Sequence, residues 1–247
     1  MRKKTLSLIR PPKLNSGDMV GVVSPAGPVD KHQLQIGLDV ISEMGFQPVP
    51  GRQSYSRSRY FAGDDLQRAK DIMDMVCNPE VKAIFCARGG YGTNRILEYL
   101  DAKMIRANPK IFVGSSDITI LLHYLYLQCG MVGFHGPMVA GSFGRAPMNQ
   151  SRKQFKNILM GEPSSLHCRK AKVFSKGIAT GKITGGCLTL LCRSLGTPYE
   201  IQTRNRILFL EDVSEPLYKL DGMLWQLKAA GKFRGCLLYT SPSPRDS

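Results

Sequence analysis

A chain of 247 residues with 43% hydrophobic residues, one Trp and a formal net charge of +15 has an ordinary globular composition, with room for one large or two modest domains. The opening MRKKTLSLIRPPK starts with charge as a signal peptide does, but its apolar segment lasts only about five residues, so no export signal is expected. No apolar run approaches the roughly 20 residues of a membrane span, which argues against a membrane partner.

Seven cysteines, an odd number without a CxxC pair or a His-rich cluster, read as free thiols of a reducing cytoplasm. No structural metal and no cofactor are expected. Five basic residues crowd the first 13 positions, and eight more lie between Arg152 and Lys182 against Glu162 alone. Without an aromatic-interleaved motif these read as a solvated basic face and not as a nucleic-acid surface. An anion-binding module stays open as an alternative.

In chain order, Asp18 to Ser24 reads as a first strand, followed by a helix from about Lys31 to Met44 with Leu34, Leu38 and Ile41 on one face. Phe46 to Pro50 is a second strand, Tyr55 to Gly63 a loop, and Asp64-Asp65 starts a helix that ends near Asn78-Pro79. Val81 to Ala87 is the next strand and runs into Arg88-Gly-Gly-Tyr-Gly92, then a helix from Thr93 to about Leu100. Three glycines in that loop leave backbone amides uncovered, which suits an oxyanion or a phosphate; a tight turn needing positive φ explains them equally. Neither GxGxxG nor GxxxxGK[ST] is present.

Ile111 to Val113 reads as a buried strand and Ile118 to Leu127 as an apolar helix, with the tight turn Gly114-Ser-Ser-Asp117 between them. Such a turn can project a hydroxyl from Ser115 or Ser116 at a strand's carboxyl end, with the next helix's amides facing what it attacks; Ser and Asp are also ordinary helix caps. Met131 to Met138 is a further strand ending in His135-Gly136-Pro137. The alternation predicts an α/β fold, a parallel sheet flanked by helices, with Ser24, Arg88 to Gly92, Ser115 to Asp117 and His135 to Pro137 converging at strand carboxyl ends.

Residues 141–176 loosen into polar and basic sequence with Pro147 and Pro163, as an interdomain crossover would. A second set of elements follows: Gly177 to Ile183, a turn at Gly185-Gly186, a helix Leu188 to Leu195, a strand Arg206 to Asp212 and an amphipathic helix Tyr218 to Ala230. The expected organisation is an amino-terminal domain over 1–140, the crossover, and an incomplete smaller α/β domain over 177–235. Residues 236–247, ending SPSPRDS, read as a non-native tail of a truncated chain.

Together, VSPAGPV, ARGGYGTNRIL, VGSSDIT, HGPM, GGCLTLLCRSLGTPY and FLEDVSEPLYKLDGML, in this order across roughly Leu14 to Gly235, resemble the LD-carboxypeptidases, a family that includes the microcin-immunity peptidases. The resemblance implies a site between two domains, a small peptide substrate and metal-free hydrolysis of the amide joining a diamino acid's L-centre to terminal D-Ala in muropeptides. It also implies a Ser-His-Glu triad. By motif, Ser116 is the nucleophile, Glu211 the acid that orients the histidine, and the amides of Gly90 and Asp117 the oxyanion donors. Arg88 could bind the substrate carboxylate or serve as a structural ion pair, with Gly89, Tyr91 and His135 at the substrate. Asp212 and Glu215 could meet a substrate amine or be solvated helix-start acids.

Two departures stand out: Cys187 occupies a place where family members commonly carry Asn, and no histidine follows Glu211. Of His32, His123, His135 and His167, His135 in the HGPM turn could reach the cleft, where a structural or substrate-contacting role is favoured over that of a substitute base. The expectation is a cytoplasmic enzyme whose 247-residue chain is severely impaired, with an aminoacyl-nucleotide conjugate as the alternative substrate; a homodimer is compatible with the sequence.

Overall fold

A computed structural model describes residues 6–143, 150–165 and 172–240. The chain divides into two compact units, one ending at Ser164 and the other beginning at Ser165.

In the first unit, β1 (Met19–Val23), β2 (Gln47–Pro50), β3 (Val81–Cys86), β4 (Ile111–Gly114) and β5 (Phe134–His135) form a five-stranded sheet in the order β2-β1-β3-β4-β5. Every pairing is parallel. The order reverses between β1 and β3, so the loops after these two strands open on the same crevice. Connecting helices are α1 (Lys31–Glu43), α2 (Asp65–Cys77), α3 (Thr93–Ile96), α4 (Ala102–Ala107), α5 (Thr119–Gln128) and α6 (Gln150–Leu159).

Side chains on the central strands alternate between two cores, as the pleat requires. Ala83, Phe85, Ile111 and Val113 join Leu34, Leu38 and Ile41 of α1 and Leu159 of α6 in one buried cluster. Ile84 and Phe112 are buried as well, but belong to the opposite face, toward α2 and α5. Local chemistry fixes where the helices start. The Asp64 carboxylate accepts from Gln67 N–H while the Gln67 side chain reciprocates, a capping box at α2. Asp30 caps α1 by accepting from Gln33 N–H at 2.9 Å.

The expected strand over Met131 to Met138 is shorter in the structure: only Phe134–His135 pairs with β4, and Met131 makes an isolated bridge with Ile9. Pro137 has no N–H to extend the ladder. The segment expected to connect two domains carries α6, whose apolar Phe155 and Leu159 stand among basic residues.

 Phe155 packs against the first cluster and Leu159 lies within it, four positions apart on one helical face. The sequence reading also passed over α4, which begins where the Asp101 carboxylate accepts from Lys103 and Met104 N–H.

In the second unit, β6 (Lys182–Cys187), β7 (Arg206–Glu211) and β8 (Leu238–Thr240) form a three-stranded parallel sheet in the order β6-β7-β8. It carries α7 (Leu188–Arg193) and α8 (Leu217–Ala229) over a small core of Leu188, Leu191, Ile201, Leu208, Leu210 and Leu227. Gly185 and Gly186, expected in a turn, instead continue β6 and pair with Phe209 and Leu210. A methyl group on Gly185 would lie 1.7 Å from the Phe209 carbonyl oxygen, so the glycine serves a close backbone approach. Leu238–Thr240, within the stretch read as a tail, is the edge strand; residues 241–247 lie outside the described residues. Among the described residues no helix is long and apolar enough to cross a membrane.

At Gly114 a methyl group would lie 2.7 Å from Ile118 Cγ2 and 2.9 Å from its Cβ. Gly114→Ala should therefore cost about 1–3 kcal/mol through overpacking, read as a lower urea midpoint for the first unit's transition.

Candidate active site

The bare Gly114 lets the chain fold back on itself as soon as β4 ends. Ser115 stays extended at φ −146°, and Ser116 then takes φ +55°. Left-handed backbone costs a non-glycine residue roughly 1–2 kcal/mol, so the surrounding packing must hold Ser116 there. Ser116–Ile118 form one 3-10 turn that leads into α5, and Thr119 N–H donates to the Ser116 carbonyl. Both serines are half-buried, while Asp117 is buried.

What Ser116 faces is the glycine-rich loop after β3. A methyl group on Gly89 would lie 3.1 Å from both Cβ and Oγ of Ser116 and 3.3 Å from the Asp117 nitrogen. Gly27 N–H donates to the Gly89 carbonyl at 3.1 Å. In a trans peptide the next N–H points the opposite way, so the Gly90 amide is turned away from Gly27. The Gly89 backbone thus lies against Ser116 and the Asp117 nitrogen. Gly90 and Gly92 hold φ of +112° and +122°, values that a side chain would strain.

Buried charges anchor this loop. The Asp117 carboxylate accepts from Thr93 N–H at 2.8 Å. Arg68, whose side chain is fully buried, donates to the carbonyls of Pro25 and Gly92 and pairs with Asp65. Its guanidinium therefore ties the loop after β1 to the loop after β3. Arg95 also pairs with Asp65, at 2.7 Å, and the hydrogen bond from Arg95 leads the causes that hold the Asp65 carboxyl below its usual range. Sequence reading missed Arg68; the available signal was a charge directly beside the buried Ala69 and Ile72 positions of α2 and three residues from Asp65.

The other expected residues fall as follows. Ser24 is buried at the end of β1, and its hydroxyl has no protein hydrogen-bond partner. Arg88 is exposed, with Nη1 donating to the Pro28 carbonyl at 2.7 Å. Gly89 is buried, whereas Gly90 and Tyr91 are exposed. His135 ends β5 in register with Gly114, two positions before Ser116. Dense surrounding protein, then the nearby His123, push its pKa down to about 4. Its ring nevertheless keeps an exposed face, where water solvates the imidazolium and limits the depression. His123 is buried on α5, His32 is exposed in the first turn of α1, and His167 lies outside the described residues.

In the second unit, Glu211 is half-buried at the end of β7, in register with Cys187. One Asp212 oxygen accepts from Thr189 N–H at 2.9 Å and from its hydroxyl at 2.8 Å. Asp212 therefore caps α7, while Glu215 lies 3.8 Å from Lys219. Burial, with Asp212 and Glu211 adding to it, pushes the Cys187 thiol up to about 12. Among the described residues, no group of three or more His, Cys, Asp or Glu side chains could hold a metal ion.

Residues 20–136 match the profile of an LD-carboxypeptidase N-terminal domain, and residues 180–237 that of an LD-carboxypeptidase C-terminal domain. A probable murein peptide carboxypeptidase of Bacillus subtilis (strain 168) is 40% identical over 226 residues, covering 90% of this chain and 71% of the relative. A murein tetrapeptide carboxypeptidase of Pseudomonas aeruginosa is 32% identical over 219 residues, covering 84% and 70%. The crystal structure of an MccF-like protein from Bacillus anthracis str. Ames superposes with a TM-score of 0.84 at 29% identity, covering 94% of this chain and 80% of that one.

Asp117→Ala should expose the Thr93 amide to hydrogen exchange and cost about 1–3 kcal/mol, because a buried donor loses its acceptor; Asp117→Asn, which keeps a side-chain oxygen, should retain most of the protection. Ring-shift titration by NMR should give His135 a midpoint below the ordinary 6.5. Since the folded value is the lower one, the unfolded chain takes the proton first, and stability is lost as pH falls from 6.5 toward about 4. His135→Gln should flatten that loss.

Proposed function

The chain belongs to the LD-carboxypeptidase family, and from that premise we propose that it is a cytoplasmic serine carboxypeptidase of peptidoglycan recycling, hydrolysing the amide between a diamino acid's L-centre and terminal D-Ala in muropeptides. The observation that carries this reading is Ser116 at φ +55° directly after a parallel strand, with Gly89 against its Cβ. Such a junction presents a hydroxyl at the carboxyl end of the sheet and sets two backbone amides beside it.

In the reaction, Ser116 Oγ attacks the scissile carbonyl carbon and gives its proton to an imidazole. The new oxyanion is received by the amides of Gly90 and Asp117, a stabilisation typically worth several kcal/mol. The imidazolium then returns the proton to the departing D-Ala nitrogen, and water releases the acyl group by the reverse sequence. Glu211 is the carboxylate that orients the imidazole. Arg88 suits the carboxylate of the terminal D-Ala, since its guanidinium can bind two oxygens at once. Tyr91 and His135 border the substrate.

No histidine follows Glu211 in the 247 residues. By itself this polypeptide should therefore release D-Ala from a muropeptide tetrapeptide on the order of 10⁶-fold more slowly than a complete triad does. Added imidazole should partly restore release, and Ser116→Ala should abolish that restored component. Fast turnover without imidazole that needs Ser116 would instead assign the base to a histidine within this chain, His135 first. A second substrate, an aminoacyl-nucleotide conjugate, is supported by the likeness to the microcin C7 self-immunity protein MccF solved with aspartyl sulfamoyl adenosine, at 25% identity and a TM-score of 0.83; faster imidazole-rescued cleavage of such a conjugate than of the tetrapeptide would select it.

A further inference from the structure

At the glycine-rich loop the first unit exposes aromatic rings, of which the chemistry above uses Tyr91 alone, at the border of the substrate. Ser58 and Phe61 exchange backbone hydrogen bonds of 2.8 and 2.9 Å around the two-residue turn Arg59-Tyr60, which sets Tyr60 at its tip. Tyr60 is 60% exposed and Tyr91 is 40% exposed, with ring centroids 6.2 Å apart and planes inclined by 41°. Both stand against Phe61, at 4.3 and 6.0 Å.

Phe61 is itself braced. The guanidinium carbons of Arg68 and Arg95 lie 4.8 and 5.3 Å from its centroid, and a methyl group on Gly92 would lie 2.6 Å from its ring. The hydrogen bond to Asp65 holds Arg95 in its charged form, and its guanidinium stands over the same Phe61 ring that both tyrosines pack against. The result is an ordered, water-exposed ledge of two aromatic faces bordered by hydrogen-bonding groups, beginning one residue after Gly90. Tyr60 is near the same place, because a methyl group on Gly27 would lie 3.0 Å from the Gly89 carbonyl oxygen and 3.7 Å from that of Tyr60.

Chemistry narrows what fits. A flat base lies parallel to the ring it stacks on, so one base cannot stack on both of these faces, which are inclined by 41°. A pyranose chair suits them better: its C–H groups are drawn to the negative face of an aromatic ring, and its hydroxyls and amide project at the rim toward phenol and guanidinium. We propose that Tyr60 and Tyr91 form a subsite for an amino-sugar ring, the glycan portion of a peptide substrate whose scissile end lies at Ser116. The identity of that substrate rests on the peptidase reading; the sugar-binding property of the ledge does not.

The test is equilibrium binding to the chain carrying Ser116→Ala, so that no ligand is consumed, with three probes: the free tetrapeptide, the same peptide bearing its disaccharide, and the disaccharide alone. The glycan-bearing peptide should bind roughly three- to ten-fold more tightly than the free peptide. Tyr60→Ala should reduce that preference while leaving the free peptide's Kd unchanged, Tyr91→Ala should reduce it as well, and Tyr60→Phe should keep most of it. Equal binding of the two peptides, or a preference that survives both alanine variants, overturns the subsite. So does adenosine monophosphate binding that depends on Tyr60 without any glycan preference. If the disaccharide binds through Tyr60 but the free peptide does not bind, the subsite stands and the peptidase reading falls.

Discussion

The backbone of Gly89 passes so close to Ser116 that the first carbon of any side chain would come within 3.1 Å of its Cβ and Oγ. Neither partner can move away freely. Gly89 is held through its carbonyl by Gly27, and Ser116 is fixed in left-handed backbone between a buried strand and a buried helix. The contact therefore sets the spacing between a hydroxyl and two peptide amides. Preorganised dipoles stabilise developing charge only when they already point at it, and errors of about 1 Å are costly. A glycine at this point gives the approach without a side chain in the way.

Holding such a loop requires polar anchors beneath it, and burying them has its own cost. A guanidinium without partners in the interior would be strongly destabilising. Arg68 meets that demand with two carbonyls, the Asp65 carboxylate and the face of Phe61. Asp117 contributes a second buried charge of opposite sign, which favours the charged form of Arg68. The two anchors grip adjacent residues, Arg68 at the Gly92 carbonyl and Asp117 at the Thr93 amide. One residue, Asp117, thus serves twice: its amide is a candidate oxyanion donor, and its side chain fixes the loop that carries the other.

Strand and helix periodicity was readable wherever one face of an element was apolar, as in α1, α2, β3 and β4. The acidic pair Asp64-Asp65 marked a helix start equally well. It failed where composition masked the pattern. The lysine-rich α6 shows only Phe155, Ile158 and Leu159 on its apolar side, which local polarity outweighed. Paired glycines misled in one place and informed in another. Gly89-Gly90 follow a strand and turn the chain, as their composition suggests, while Gly185-Gly186 stay within β6 because the Phe209 backbone lies against them. The dipeptide is the same, and only the partner strand decides. Ser116 and Glu211 stood out through their motifs, whereas Arg68, Phe61 and Tyr60 act through contacts between loops distant in sequence, which no local pattern encodes.

Arg68 links two features that would otherwise be separate. Its Nη1 holds the Gly92 carbonyl and so the glycine-rich loop, while its guanidinium carbon sits 4.8 Å from the centre of the Phe61 ring that supports Tyr60 and Tyr91. Gly92 belongs to both, since a methyl group there would meet the Phe61 ring at 2.6 Å and the Arg68 Nη1 at 3.0 Å. The ring beneath the two exposed tyrosines therefore packs on the same buried guanidinium that donates to the Gly92 carbonyl, so one side chain braces both the aromatic ledge and the end of the glycine-rich loop.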